Sequence, residues 1–302
     1  ICWFFMNQEY RRIVQTAAMY ARSHKPPPMH RLPCTAIVDT GIFPHMDLAG
    51  SITGFYDPVG HRSSAYDDNG HGTHIAGIIS GNGQSLDGRY TGIFPGSPIF
   101  CVKALNENGN GKITDFIEGI EFLIKNRTKY HIRIINISLG AEYDNSPEQK
   151  SLLDCVEHAW DLGLIVCAAA GNNGPKQGSI TIPGISRKII TIGTYDDYIP
   201  VQNESSGKHL VNYSGRGPTP ECILKPDILC PGSNIMSLNN HPRSYRIKSG
   251  TSMSTPMIAA VISLVLSIFP DLTPKEIKKA VKLSHDSQNL HFDSRHFFRY
   301  FN

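Results

Sequence analysis

Charge of one sign is scarce in this chain. Its 29 Lys and Arg stand against 26 Asp and Glu, a net charge of +3. That excludes a nucleic-acid or polyanion binder working through bulk charge. Charged residues make up 18% and hydrophobic ones 40%, which excludes a disordered chain and allows a large core. The seven cysteines are odd in number and form no Cys-x-x-Cys pair, so neither a disulfide framework nor a thiolate zinc site is signalled. Cys101 and Cys167 lie inside apolar runs, as small buried hydrophobes do, and free thiols fit a reducing compartment. No His-Glu-x-x-His occurs, which leaves a zinc site on His71 and His74 without its usual frame. Asp-Thr-Gly occurs once, whereas an aspartic protease needs two such carboxylates. The longest apolar run, Met257 to Phe269, has 13 residues and two serines and is too short to cross a bilayer. Ile1 to Met6 is apolar, but no basic region precedes it and no Ala-x-Ala follows, so it is not read as a signal peptide. The expectation is a soluble cytoplasmic protein without nucleic-acid or membrane partners, secretion not being excluded.

Against these absences stands a regular alternation. Continuous apolar runs at 35–39, 99–105, 132–139, 164–170, 189–193 and 228–230 read as strands covered on both faces. Helical stripes fall between them, at 113–125 and 149–162, with Gly163 placed to end the second. Thr273-Pro274-Lys275-Glu276 is a capping box with Pro at the first helical position, opening a helix through Leu283. Strand–helix alternation predicts an α/β fold, a mostly parallel doubly wound sheet with helices on both faces. Residues 1–33 read as an N-terminal arm, 34–284 as the main domain and 285–302 as an atypical tail.

Four segments carry chemistry. Ala36-Ile37-Val38-Asp39-Thr40-Gly41 is an apolar strand ending in a carboxylate, where parallel sheets gather ligands. Asn69-Gly70-His71-Gly72-Thr73-His74 surrounds imidazoles with small residues that admit close neighbours. Ser249-Gly250-Thr251-Ser252-Met253-Ser254-Thr255-Pro256 puts a serine where a glycine turn enters an apolar helix, whose unpaired N–H groups favour developing negative charge. It is not a Gly-x-Ser-x-Gly elbow, and no Asp and His motifs follow it. Ala168-Ala169-Ala170-Gly171-Asn172-Asn173-Gly174-Pro175 ends a strand of tiny residues in a carboxamide able to donate to an oxyanion.

The order Asp39, His71, Asn172, Ser252, with these motifs around them, resembles the subtilase family of serine proteases from about Cys34 to Leu283. Asn136-Ile137-Ser138-Leu139-Gly140, Tyr213-Ser214-Gly215-Arg216-Gly217-Pro218 and Lys225-Pro226-Asp227-Ile228 extend the likeness. It looks nearest the intracellular bacterial members, in keeping with the free cysteines. The resemblance implies a subtilisin-like three-layer fold and peptide hydrolysis through an acyl-enzyme. Ser252 would be the nucleophile, His71 the base and Asp39 its orienting carboxylate. The Asn172 side chain and the Ser252 N–H would form the oxyanion hole. Polypeptide substrates would lie extended between 108–111 (Asn108, Gly109, Asn110, Gly111) and 138–140 (Ser138, Leu139, Gly140). Ala169 and Gly171 would line an uncharged first pocket suited to a bulky apolar residue. The chemistry needs no cofactor, a monomer is expected, and Asp47 matches a carboxylate that holds structural calcium in the family. Ser254 and Met257 replace the usual Ala and His. The rival reading is a catalytically silent relative that binds peptides or regulates a partner.

Overall fold

The structure is a computed structural model, and it describes residues 7–202, 209–285 and 289–301. In chain order the helix α1 (Gln8–His24) precedes strands β1 (Cys34–Asp39) and β2 (Ile52–Tyr56). Helix α2 (His71–Ser80), β3 (Ile99–Lys103), α3 (Ile113–Asn126), β4 (Ile132–Ile137), α4 (Pro147–Asp161), β5 (Ile165–Ala169) and β6 (Ile190–Thr194) follow. The short ladder β7 (Val201–Gln202) with β8 (His209–Leu210), then β9 (Ile228–Cys230), leads to a hairpin of β10 (Ile235–Leu238) and β11 (Tyr245–Lys248). Helices α5 (Thr251–Ile268), α6 (Pro274–Leu283) and α7 (Ser294–Arg299) complete the order.

Seven strands form one sheet in the order β2-β3-β1-β4-β5-β6-β9, all pairs parallel. The six expected strands are all present. The burial of β1, β3 and β5 along their full length explains why they read as continuous apolar runs. β2, which the sequence reading missed, is a half-buried edge strand without such a run. α2 packs with α5 and α3 with α4 as the flanking layers. From β1 the chain turns towards β2 and β3 on one side, while β4, β5, β6 and β9 extend the other. The sheet therefore switches direction between the carboxyl ends of β1 and β4, where open α/β sheets bind ligands.

α5 is long and apolar enough to cross a membrane by length and composition, but 89% of it is buried inside the fold. It is the central core helix, longer than the 257–269 run because Thr251 to Pro256 form its first turns. The capping box of α6 closes as read, with Thr273 and Glu276 exchanging bonds.

Both ends of the described chain share this core. Tyr10, Ile13, Ala17 and Tyr20 of α1 are buried in it, as are Phe292, Phe297 and Phe298. Tyr20 stacks on Phe298 at 4.3 Å. Leu290 and Phe292 bond the main chain of Leu229 at 2.8 Å each, so the segment after α6 runs as a parallel extension beside β9. Four basic residues, Arg31, Arg127, His131 and Arg133, gather at the opposite end of the sheet from Asp39. There Arg127 caps the Ile124 carbonyl in the last turn of α3, and Arg133 binds the Pro270 and Leu272 carbonyls in the connection between α5 and α6.

Candidate active site

β1 ends in Asp39, which is fully buried. Its Oδ1 accepts the Thr40 amide at 2.7 Å and His71 Nδ1 at 2.7 Å, while Oδ2 has no partner among the described residues. The imidazole sits at the first residue of α2 and is partly exposed. A proton on Nδ1, donated to Asp39, leaves Nε2 as the acceptor of the ring.

The closeness of β1 and α2 is built from small residues and one buried acid. Gly70 caps α2 with φ +98°, a conformation that glycine adopts freely. A Cβ on Gly72 would lie 2.1 Å from the Gly41 carbonyl oxygen, so only glycine permits this approach. Asp67 is the hub. Its Oδ1 accepts from Thr40 Oγ1 and from the Asn69 and Gly70 amides, and its Oδ2 accepts the amide and hydroxyl of Thr73. Thr40 Oγ1 in turn accepts the Gly72 amide at 2.9 Å. Lys103, also buried, donates to Thr40 O, Asp68 Oδ1 and Leu105 O. Neither Asp67 nor Lys103 lies in a motif that pointed to it as support for the site.

Ser252 is the second residue of α5, and its hydroxyl donates to the Ser138 carbonyl at 2.7 Å. That carbonyl lies just beyond β4, the strand paired with β1, so the serine is tied to the β4 side of the sheet switch. The Asn172 Oδ1 accepts the Thr251 amide at 3.0 Å and its hydroxyl at 3.1 Å, which fixes the carboxamide orientation and turns Nδ2 away from those donors. A Cβ on Gly250, at φ +147°, would stand 3.1 Å from that Nδ2, so glycine lets the amide group approach the helix start.

Residues 33–297 match the Subtilase family. The chain belongs to the subtilase family. It is 43% identical over 271 residues to serine protease AprX of Bacillus subtilis, covering 83% of this chain and 60% of the relative. It is 36% identical to the minor extracellular protease Epr of the same organism, over 82% of this chain and 34% of the relative. The chain thus spans less than two thirds of the length of the first relative and about a third of the second. Among solved structures a cold adapted subtilisin-like serine proteinase superposes with TM-score 0.69 at 27% identity, covering 89% of this chain and 87% of that one.

In this subtilase the segments expected to hold substrate border one cavity of about 250 Å³, lined by Gly109, Asn110, Gly111, Leu139, Gly140, Leu105 and Ile182 among others. Asn108 is not among its lining residues, and its side chain donates to Glu107. Ala169 is buried in β5. Gly140 and Gly171 face each other across Thr181, whose Oγ1 would meet Cβ atoms on them at 2.3 and 2.6 Å. Thr181 is 3% exposed and its hydroxyl has no partner among the described residues. The sequence reading overlooked it; the one clue was its place shortly after the Asn172 loop.

His74, three residues from His71, points elsewhere. It is fully buried, and its Nε2 donates to the Ile235 and Arg246 carbonyls at 3.1 and 3.0 Å while Nδ1 lacks a partner among the described residues. Burial, with the nearby Lys248 and His71 charges, drives its pKa down to about 3. No cluster of three His, Cys, Asp or Glu able to hold a metal occurs among the described residues.

Asp47 is fully buried, and both of its oxygens accept hydrogen bonds. Oδ1 takes the Ser85 amide at 2.7 Å and Oδ2 the Tyr245 hydroxyl. The loop it faces turns its own oxygens inward. Gly81, Gly83 and Leu86 carbonyls accept amides of that same segment, and Asn82 Oδ1 accepts the Gln84 amide. Calcium needs six to eight oxygens free to converge on it, and this arrangement does not fit one.

Proposed function

We propose that this subtilase is a serine endopeptidase hydrolysing peptide bonds through an acyl-enzyme. The observation that carries the reading is the 2.7 Å bond between buried Asp39 Oδ1 and His71 Nδ1, at the sheet switch that also receives the Ser252 helix start. Asp39 holds the imidazole so that Nε2 is the base and steadies the imidazolium that forms. Ser252 Oγ leaves the Ser138 carbonyl, gives its proton to Nε2 and attacks the scissile carbonyl. The same proton then passes from His71 to the leaving amine. Asn172 Nδ2 and the Ser252 amide receive the oxyanion, helped by the positive end of α5. Water repeats the sequence to release the acyl group.

The substrate runs extended between 108–111 and 138–140, its main chain supplying affinity and its side chains entering pockets. The apolar 250 Å³ cavity between those segments favours an aliphatic or aromatic side chain there. Polypeptides are the partners, and the enzyme acts as a monomer. The Epr relative is named as extracellular, and the free cysteines of the described residues are mostly buried packing groups, so a cytoplasmic location draws no support from either.

Treatment with a serine-directed fluorophosphonate tests the reading, with Ser252→Ala as the comparison. Labelling that is lost in the variant, together with casein hydrolysis, is the expected result. A folded wild-type protein with neither labelling nor hydrolysis would instead support a silent peptide-binding relative.

A further inference from the structure

We infer that a metal-free latch, Ser85–Asp47–Tyr245, does the work of a structural cation in this protein. Asp47 is sealed from solvent, and an isolated buried carboxylate is costly unless it is compensated. A cation is one way to compensate it, and hydrogen-bond donors are another. Here the donors are in place. The Ser85 amide reaches Oδ1 at 2.7 Å and the Tyr245 hydroxyl reaches Oδ2. The Asp47 main chain takes part as well, with its carbonyl accepting the Asn82 amide at 3.0 Å and its amide donating to His45 Nδ1 at 3.1 Å. Tyr245 is braced by Tyr90 at 5.4 Å and by His45 at 5.8 Å between ring centres.

The position of the latch gives it reach. Asp47 lies in the segment that follows β1 and Asp39. Ser85 lies in the loop that follows α2 and His71. Tyr245 opens β11, which leads through Gly250 to Ser252. One carboxylate therefore ties together the three segments that carry Asp39, His71 and Ser252, and donors stand where a cation would otherwise join them.

The test reads unfolding and hydrogen exchange, so it stands apart from whether the protein hydrolyses peptides. The thermal midpoint of the wild-type chain is measured in excess EDTA and in excess calcium chloride. Equal midpoints are expected. A midpoint that falls in EDTA and recovers with calcium would overturn the latch. Tyr245→Phe removes one donor while keeping the ring. A drop of at least about 3 °C in both solutions is expected, with faster amide exchange at residues 82–90. An unchanged midpoint and unchanged exchange in the variant would equally overturn it.

Discussion

Asp39 and His71 sit at the end of a strand and the start of a helix, yet the buried carboxylate and the partly exposed imidazole meet at 2.7 Å. Among the described residues the carboxylate gains two donors on Oδ1 and none on Oδ2, and its one side-chain partner is the imidazole. Asp39→Asn keeps the shape and offers an N–H where the ring needs an acceptor, which favours the wrong tautomer. We expect kcat to fall on the order of 10⁴-fold with the fold intact. Circular dichroism and steady-state kinetics on a peptide amide check this; an activity within tenfold of wild type would remove Asp39 from the mechanism.

Gly72 is the spacer behind that contact. In Gly72→Ala a methyl would be driven to 2.1 Å from the Gly41 carbonyl oxygen and 3.2 Å from Asp39 Cβ. Relief requires α2 to move away from β1, at a cost of about 1–3 kcal/mol. The expected result is a lower urea midpoint together with a reduced kcat. A variant as stable and active as wild type would show that the two elements have slack.

The two contacts differ in how far they could be read ahead. The approach of Asp39 to His71 could be read ahead because small residues must surround it, and glycine leaves a visible trace in sequence. β1, β3 and β5 were legible because burial on both faces writes an unbroken apolar run. Asp67 was not, because its role rests on five donors from Thr40, Asn69, Gly70 and Thr73, mostly main-chain groups that leave no side-chain pattern. α1 carries its signal in the helical spacing of Tyr10, Ile13, Ala17 and Tyr20, although residues 1–33 read as an arm preceding the core. Asp47 was legible as a carboxylate with a task, but Tyr245 lies almost two hundred residues away, and only the fold shows that a phenol answers it.

Asn172 tests the oxyanion reading. Asn172→Asp keeps an acceptor for the Thr251 amide and hydroxyl and deletes the donor at Nδ2. A fall in kcat of about 10²–10³-fold or more is expected, with KM changed little. A change confined to KM would assign the carboxamide to substrate binding.

His74 links stability to acid. The unfolded chain takes up this proton with an ordinary histidine pKa of about 6.5, whereas the folded chain resists it down to about 3. Between those values the unfolded state holds more protons, so stability falls as pH is lowered from about 6.5 towards 3. The slope from this one group reaches about 1.4 kcal/mol per pH unit, and its contribution is complete above that window. His74→Gln removes the titration and should flatten the acid limb of a plot of urea midpoint against pH. An acid limb with unchanged slope would show that other groups set it.

Thr181 bears on which residue enters the first pocket. The sequence suggested an open apolar slot beside Gly140 and Gly171, but a threonine side chain stands between them with its hydroxyl buried and unpaired. An unsatisfied buried hydroxyl costs about 1–3 kcal/mol, and a substrate group able to bond it would recover part of that. If substrate enters beside Thr181, a side chain with a polar end is expected to be preferred over an apolar one of equal size. Thr181→Val keeps the volume and deletes the hydroxyl. The variant should be as stable as wild type or more so, and its kcat/KM ratio for glutamine over leucine at this position should fall about tenfold. A ratio that does not move would place the hydroxyl outside the reach of substrate, and would return the slot to the apolar preference read from Ala169 and Gly171.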